Sequence, residues 1–214
     1  MDCMEAMKEF PDKYFELAIV DPPYGIGHSI IAGEQSGQKY GNAAAPKKKY
    51  ITKDWDISSP NQLYFNELIR VCKNQIIWGA NHFISKIPYD SSCWIVWDKN
   101  NGQNNFADCE LAWTSFESAV RKYKFTWNGM IQQNMKNKET RIHPTQKPVA
   151  LYKWLFTNYA NKGDKILDTH LGSGSSRIAA YDMSFDFWGY ELDKDYFEAQ
   201  EKRFNTFKQQ LKLF

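Results

Sequence analysis

Two short segments of this 214-residue chain gather the residue types that group-transfer chemistry needs. The first is Asp21-Pro22-Pro23-Tyr24, a carboxylate, two prolines and a ring in one run. Proline fixes its own φ and restricts the residue before it, so Asp21 and the Pro22 carbonyl become two acceptors that a single –NH₂ group could satisfy. The flat face of Tyr24 offers stacking to a base, worth about 1–3 kcal/mol. A plain proline turn is the competing reading. The second segment runs from Asp168 to Ser176 (DTHLGSGSS). Its glycines permit a tight turn and close backbone approach, and a helix starting behind them presents free N–H groups. Glu191 stands where nucleotide-binding α/β folds place an acid that accepts ribose hydroxyls.

A lone G-x-G is an ordinary turn. Strand, glycine loop, helix, strand and acid in that order point to an adenosine-containing cofactor. A dinucleotide fingerprint wants a third glycine where Arg177 stands, and a P-loop wants a Gly-Lys-Ser/Thr that is absent. Asp168 would repel a pyrophosphate but could receive the ammonium of an amino-acid moiety. That charge logic favours S-adenosylmethionine over NAD or ATP.

These segments need a scaffold that brings strand ends together. Apolar runs predict strands over 15–20, 75–78, 93–97, 110–115, 165–168 and 187–191, with 110–115 expected near a sheet edge. Helical spacing predicts helices over about 4–10, 62–71, 149–159, 175–183 and 194–211. Alternation of this kind implies an α/β fold, a mostly parallel twisted sheet with helices on both faces, whose strand-end loops converge on one crevice. Residues 1–214 are expected to form one catalytic domain. Residues 25–49 form a connection far longer than the usual ~4–6 residues, expected to be a lid or a flexible loop.

Hydrophobic residues at 43% and aromatics at 16% supply a core and exclude a disordered chain. With 27 basic residues against 25 acidic, nucleic-acid binding must come from a local basic surface rather than from overall charge. Candidates are Lys47, Lys48 and Lys49 in the long loop, and Arg121, Lys122 and Lys124 in the aromatic, Asn- and Gln-rich stretch 116–142. A solvated surface is the competing reading for each. Cys3, Cys72, Cys93 and Cys109 form no C-x-x-C pair, no His/Cys cluster has metal-ligand spacing, and no signal or membrane-length apolar run is present. A reduced cytoplasmic protein without a metal is expected. The strands around 75–83 and 93–99 read as core and pocket wall, and His28, His82 and His170 have no partner legible in the sequence.

On these residues the chain resembles the amino-group DNA methyltransferases, specifically the adenine-N6 class. DPPY at 21–24 resembles that family's catalytic motif, and DTHLGSGSS at 168–176 its cofactor loop, more usually DPFxGSGTT. HPTQKP at 143–148 matches its HPTxKP signature, and Asp2-Cys3 is similar to its GDC segment, whose acid faces the cofactor's adenine ring. DPPY ahead of the glycine loop is the β-type order. The resemblance implies a Rossmann-like S-adenosylmethionine-dependent fold and a catalytic set of Asp21, Pro22, Pro23 and Tyr24. It also implies cofactor contacts from Asp2, Cys3, Asp168, His170, Gly172, Ser173, Gly174, Ser175, Glu191 and Leu192, with Thr145 and Lys147 at the cofactor's carboxylate end; Asp193 is a weaker candidate. Thr169 and His170 depart from the family's Pro and Phe, which could reshape the methionine pocket.

The resemblance further implies methyl transfer to the N6 amine of an adenine rotated out of duplex DNA, since a stacked base cannot reach such a pocket. Residues 116–142 are short for a target-recognition region, which makes a homodimer useful. A compact bacterial or phage enzyme without a restriction endonuclease partner is the expected origin. Cytosine-N4 methylation uses the same chemistry, although those enzymes more often carry Ser at the Asp21 position. A non-catalytic relative that binds cofactor or DNA is the remaining alternative.

Overall fold

The computed structural model describes residues 1–28, 30, 50–102, 107–128 and 131–211. In chain order its elements are α1 (Cys3–Lys8), β1 (Phe15–Val20), α2 (Gln62–Val71), β2 (Cys72–Trp78), β3 (Trp94–Asp98), β4 (Cys109–Thr114) and β5 (Arg121–Lys124). A two-stranded ladder of β6 (Trp127–Asn128) and β7 (Ile131–Gln132) follows. The chain then forms α3 (Val149–Tyr159), β8 (Lys165–Asp168), α4 (Ser175–Asp182), β9 (Asp186–Gly189) and α5 (Lys194–Leu211).

Seven strands form one sheet in the order β5-β3-β4-β2-β1-β8-β9. β2, β1, β8 and β9 are mutually parallel, and β5 is parallel to β3. β4 alone runs against both of its neighbours. Period-two alternation explains why the sheet is covered on both faces. Ala18 and Val20 of β1 pack with Phe65, Leu68 and Val71 of α2 and Met7 of α1. Leu17 and Ile19 pack with Leu151, Leu155 and Phe156 of α3 and with Ala179 and Ala180 of α4. Each fully buried Leu, Ile or Phe contributes roughly 1.5–3 kcal/mol.

The expected α/β class and most element positions agree with the structure, with one correction. The segment 110–115 is not near an edge: β4 lies between β2 and β3, and Ala112, Trp113 and Thr114 are buried. An antiparallel strand inside an otherwise parallel sheet breaks the rule that chain order approximates spatial order. The edge on that side is β5, which lacks apolar alternation because Arg121, Lys122 and Lys124 project into solvent, a charge pattern that discourages further strand pairing. Among the described residues no helix is long and apolar enough to cross a membrane.

Candidate active site

The parallel strands β1, β8 and β9 end at one crevice, and a cavity of about 430 Å³ opens there, within the roughly 300–1,000 Å³ of small-molecule sites. Asp21 and Pro23 from the loop after β1 line it together with Gly172 and Ser173 from the loop after β8. The two sequence segments therefore face one space. Asp2, Cys3, Thr145, Lys147, His170, Glu191 and Leu192 also line it, whereas Pro22, Tyr24, Asp168, Gly174 and Ser175 adjoin these residues in the chain without being among the lining ones.

On the glycine side the geometry is local. Gly172 and Gly174 have φ of +50° and +70°, the left-handed region that side chains disfavour. A Cβ on Gly174 would lie 3.0 Å from Gln200 Oε1, so the loop is pressed against α5. The Gly172 N–H donates to Glu191 Oε2 at 2.8 Å and the Asp193 N–H to Oε1 at 2.9 Å, which aims the Glu191 carboxylate from the end of β9 across the loop. Asp2 caps α1, accepting from the Met4 N–H at 2.7 Å. Asp168 is buried and accepts from the His170 N–H at 3.0 Å and the Ser176 hydroxyl at 2.5 Å, with no ion pair among the described residues. Burial, with the nearby Asp21 and Glu191 carboxylates adding to it, pushes Asp168 up to about 7. A buried anion in a negative surrounding is suited to a cationic ligand group.

Thr169 and His170 form a polar relay with α2: Tyr64 and Thr169 hydroxyls meet at 2.6 Å, and Thr169 Oγ1 lies 2.9 Å from His170 Nδ1. Burial lowers His170 to about 4, so the ring is neutral. Cys3 is likewise held as a thiol, burial raising it to about 11. His143 packs between Trp55 and Tyr196, with ring centroids 5.1 and 4.2 Å away, and burial depresses it to about 3. Its Nδ1 lies 3.0 Å from the Thr145 hydroxyl.

On the DPPY side the geometry is assembled from remote segments. The Tyr24 hydroxyl donates to Asp21 Oδ1 at 2.7 Å, and Lys147 Nζ donates to Asp21 Oδ2 at 2.5 Å. Lys147 also meets Glu110 Oε2 at 3.0 Å, and Glu110 Oε1 meets Lys99 Nζ at 2.5 Å. Burial raises Asp21 above the ordinary carboxylate range despite the opposing Lys147 charge. Burial also acts to raise Glu110, but Lys147 and Lys99 outweigh it and hold Glu110 near 2. The Lys147 ammonium, although buried, is kept charged by the two carboxylates.

Several site residues have no motif to announce them. Asp56 is buried below the DPPY loop and accepts from the backbone N–H groups of Tyr24 (2.8 Å), Gly25 (2.9 Å) and His28 (2.8 Å). It thereby holds the turn that follows the prolines. Gly79, with φ +68°, backs Tyr24: a Cβ there would lie 2.0 Å from Tyr24 Cε1. His82 stacks on the Tyr24 ring at 4.9 Å with a 15° interplanar angle. A Gly after an apolar strand was the one visible signal. Nothing in the sequence marks Asp56, Glu110 or Lys99.

Arg121, Lys122 and Lys124 are exposed along β5, at the sheet edge. Lys47, Lys48 and Lys49 lie outside the described residues, as does most of the 25–49 loop. No group of His, Cys, Asp and Glu among the described residues could hold a metal ion.

A family model described as DNA methylase, of the N6/N4 methyltransferases, matches residues 15–202. The Type II methyltransferase M.HinfI of Haemophilus influenzae is 22% identical over 251 residues, an alignment that covers 97% of this chain and 67% of that protein. The crystal structure of an M1.HpyAVI–SAM complex superposes with a TM-score of 0.57 at 21% identity, over 94% of this chain and 96% of the other. PvuII DNA methyltransferase, described as cytosine-N4-specific, superposes with a TM-score of 0.60 at 13% identity, over 95% and 84% of the two chains.

Proposed function

Because the chain belongs to the N6/N4 DNA methylase family, we propose that it transfers a methyl group from S-adenosylmethionine to the exocyclic N6 amine of an adenine turned out of DNA. The observation that carries this reading is the Asp21 carboxylate opening onto the same cavity as the Gly172 loop. The residues suit the cofactor: the uncompensated Asp168 matches an α-ammonium, the Glu191 carboxylate matches ribose hydroxyls, and the left-handed glycines let backbone approach closely. When bound, S-adenosylmethionine supplies a methyl group on a sulfonium, an electrophile that needs only alignment.

The protein's part is to make a poor nucleophile attack. Adenine's amine lone pair is conjugated into the ring. Asp21 and the Pro22 carbonyl accept its two N–H bonds, which draws the nitrogen towards tetrahedral geometry and frees that lone pair. The lone pair forms the N–C bond as the C–S bond breaks and its electrons remain on sulfur. The excess N–H proton then passes to Asp21 or to water. Asp21 also stabilises the positive charge that develops on the amine, and Tyr24 holds the base by stacking, so catalysis is positioning plus electrostatics. Arg121, Lys122 and Lys124 contact phosphates, and residues 116–142 take part in reading the target, a role a second copy of the chain would extend.

Asp21 in place of Ser supports adenine. The likeness to a cytosine-N4-specific enzyme supports a second reading, cytosine-N4 methylation by the same atoms. Incubation with methyl-labelled S-adenosylmethionine and unmodified genomic DNA, followed by digestion to nucleosides, tests both. Label in N6-methyldeoxyadenosine is expected; label in N4-methyldeoxycytidine moves the assignment to the second reading, and unlabelled DNA overturns both.

A further inference from the structure

A chain of four alternating charges ends on the carboxylate that the proposed reaction uses: Lys99, Glu110, Lys147, Asp21. Its origin is topological. Parallel strands deliver their C-terminal ends to the crevice, and so place Asp21 after β1 and Lys99 after β3. β4 runs the other way and delivers its N-terminal end, where Glu110 stands opposite Trp97. Lys147 arrives from the segment before α3, with only 3% of its side chain exposed. Lys147 Nζ donates to Asp21 Oδ2 and, at 3.3 Å, to the Tyr24 hydroxyl, while Glu110 Oε2 stands 3.0 Å from the ammonium as an ion-pair partner without a hydrogen bond.

Burying charges costs several kcal/mol each, and such networks are rarely more stable than an apolar core of the same shape. Stability alone is a poor reason for this one. Asp21 has the opposite need: in a desolvated site it must stay ionised, in one rotamer, with lone pairs left for an incoming amine. A lysine alone would do the first at the expense of the last, by drawing the carboxylate's electron density to itself. A second carboxylate on the same ammonium shares that pull.

On the reading of the site given above, we propose that Lys147 and Glu110 are positioning residues for methyl transfer: Lys147 fixes and charges the Asp21 carboxylate, and Glu110, anchored by Lys99, restrains Lys147 so that Asp21 remains an effective acceptor. Among the described residues, the charged and titratable groups facing Asp21 are Lys147, Glu110, Tyr24 and, from α3, Tyr152, with Asp168 beyond them. Removing the cation destabilises the Asp21 anion, so Lys147→Met makes Asp21 titrate at higher pH. Removing the second anion does the reverse, so Glu110→Gln makes it titrate at lower pH. A purely structural role predicts no such opposition.

The experiment has two readouts. Carboxyl-¹³C NMR of the protein labelled at Asp and Glu, with the Asp21 signal assigned through Asp21→Asn, follows the titration without needing activity. Single-turnover methylation of unmodified genomic DNA follows kcat and its acid limb. Expected are opposite displacements of the Asp21 titration, a fall in kcat of about a hundredfold for Lys147→Met, as for a misplaced catalytic group, and less for Glu110→Gln. Cofactor affinity should stay within about twofold, a change of only ~0.4 kcal/mol. Lys147→Arg and Glu110→Asp serve as folded substitutes, with displacements of the same sign and smaller size. Titrations that stay put or move together overturn the proposal, as does loss of cofactor binding in step with activity. Wild-type protein that methylates no DNA overturns the functional reading instead, whereas the NMR titration judges the charge chain separately.

Discussion

The two walls of the crevice are built differently. The wall proposed for the cofactor is built mainly from one contiguous unit, β8, glycine loop, α4 and β9, joined by Asp2 and Cys3, and its key contacts are made between backbone and nearby acids, such as the Gly172 N–H on Glu191. The wall proposed to receive the target is gathered from the loop after β1, the 50–61 segment, the ends of β2 and β3, the start of β4 and the segment before α3. Its central contact, Lys147 on Asp21, spans 126 positions in the chain. Backbone recognition can be written into a short motif because glycine φ and helix termini are local properties. Charge placement cannot, because it depends on which strands lie side by side and in which direction they run.

If the walls have separate duties, substitutions should separate binding from chemistry. Asp21→Ala should lower kcat on the order of 10²–10³-fold, as loss of a transition-state contact does, while calorimetry shows cofactor affinity unchanged; parallel losses would merge the two walls. Asp168→Asn should do the reverse and weaken the cofactor by roughly 10–100-fold, the worth of a charged hydrogen bond. Asp168 also has a stability signature. Its folded value near 7 lies above the ordinary 3.8, so its contribution is complete below pH 3.8 and is lost as pH rises through 7. Ligand-free Asp168→Asn should therefore melt higher than wild type at pH 8, by a few degrees, with the difference vanishing towards pH 4 in a thermal scan.

Gly79→Ala sharpens the target side. Its Cβ would sit 2.0 Å from Tyr24, so the ring must move, and kcat should fall about tenfold with cofactor binding intact. Tyr24→Phe keeps the stacking face and should retain most activity, whereas Tyr24→Ala should lose stacking worth about 1–3 kcal/mol. Equal rates for the two variants in a steady-state assay would remove stacking from the account. The smallest effect belongs to the β5 edge. Replacing Arg121, Lys122 and Lys124 by Ala should weaken DNA binding a few-fold and lower the salt slope by about 1 per lost phosphate contact, measured by anisotropy across a salt series.

Much of this molecule was legible in order of locality. Val149–Tyr159, Lys165–Asp168 and Gln62–Val71 fall at the residues their apolar spacing indicates, because helix and strand periods are read over a few positions. The DPPY and glycine loops were likewise visible, since prolines and glycines state their backbone geometry directly. Glu110 could be read only as the first residue of an apolar run, and that run was misjudged as near an edge because nothing in it declares an antiparallel strand inserted between β2 and β3. Asp56 is an acid in a turn-rich stretch until the DPPY backbone lies across it. The residue types by themselves determined an α/β scaffold, the two strand-end loops and the kind of chemistry they suit. Only the tertiary structure decided that Lys147 lies against the Asp21 carboxylate and that Glu110 shares it, since strand direction and order are properties of the assembled sheet, which chain-local periodicity does not encode.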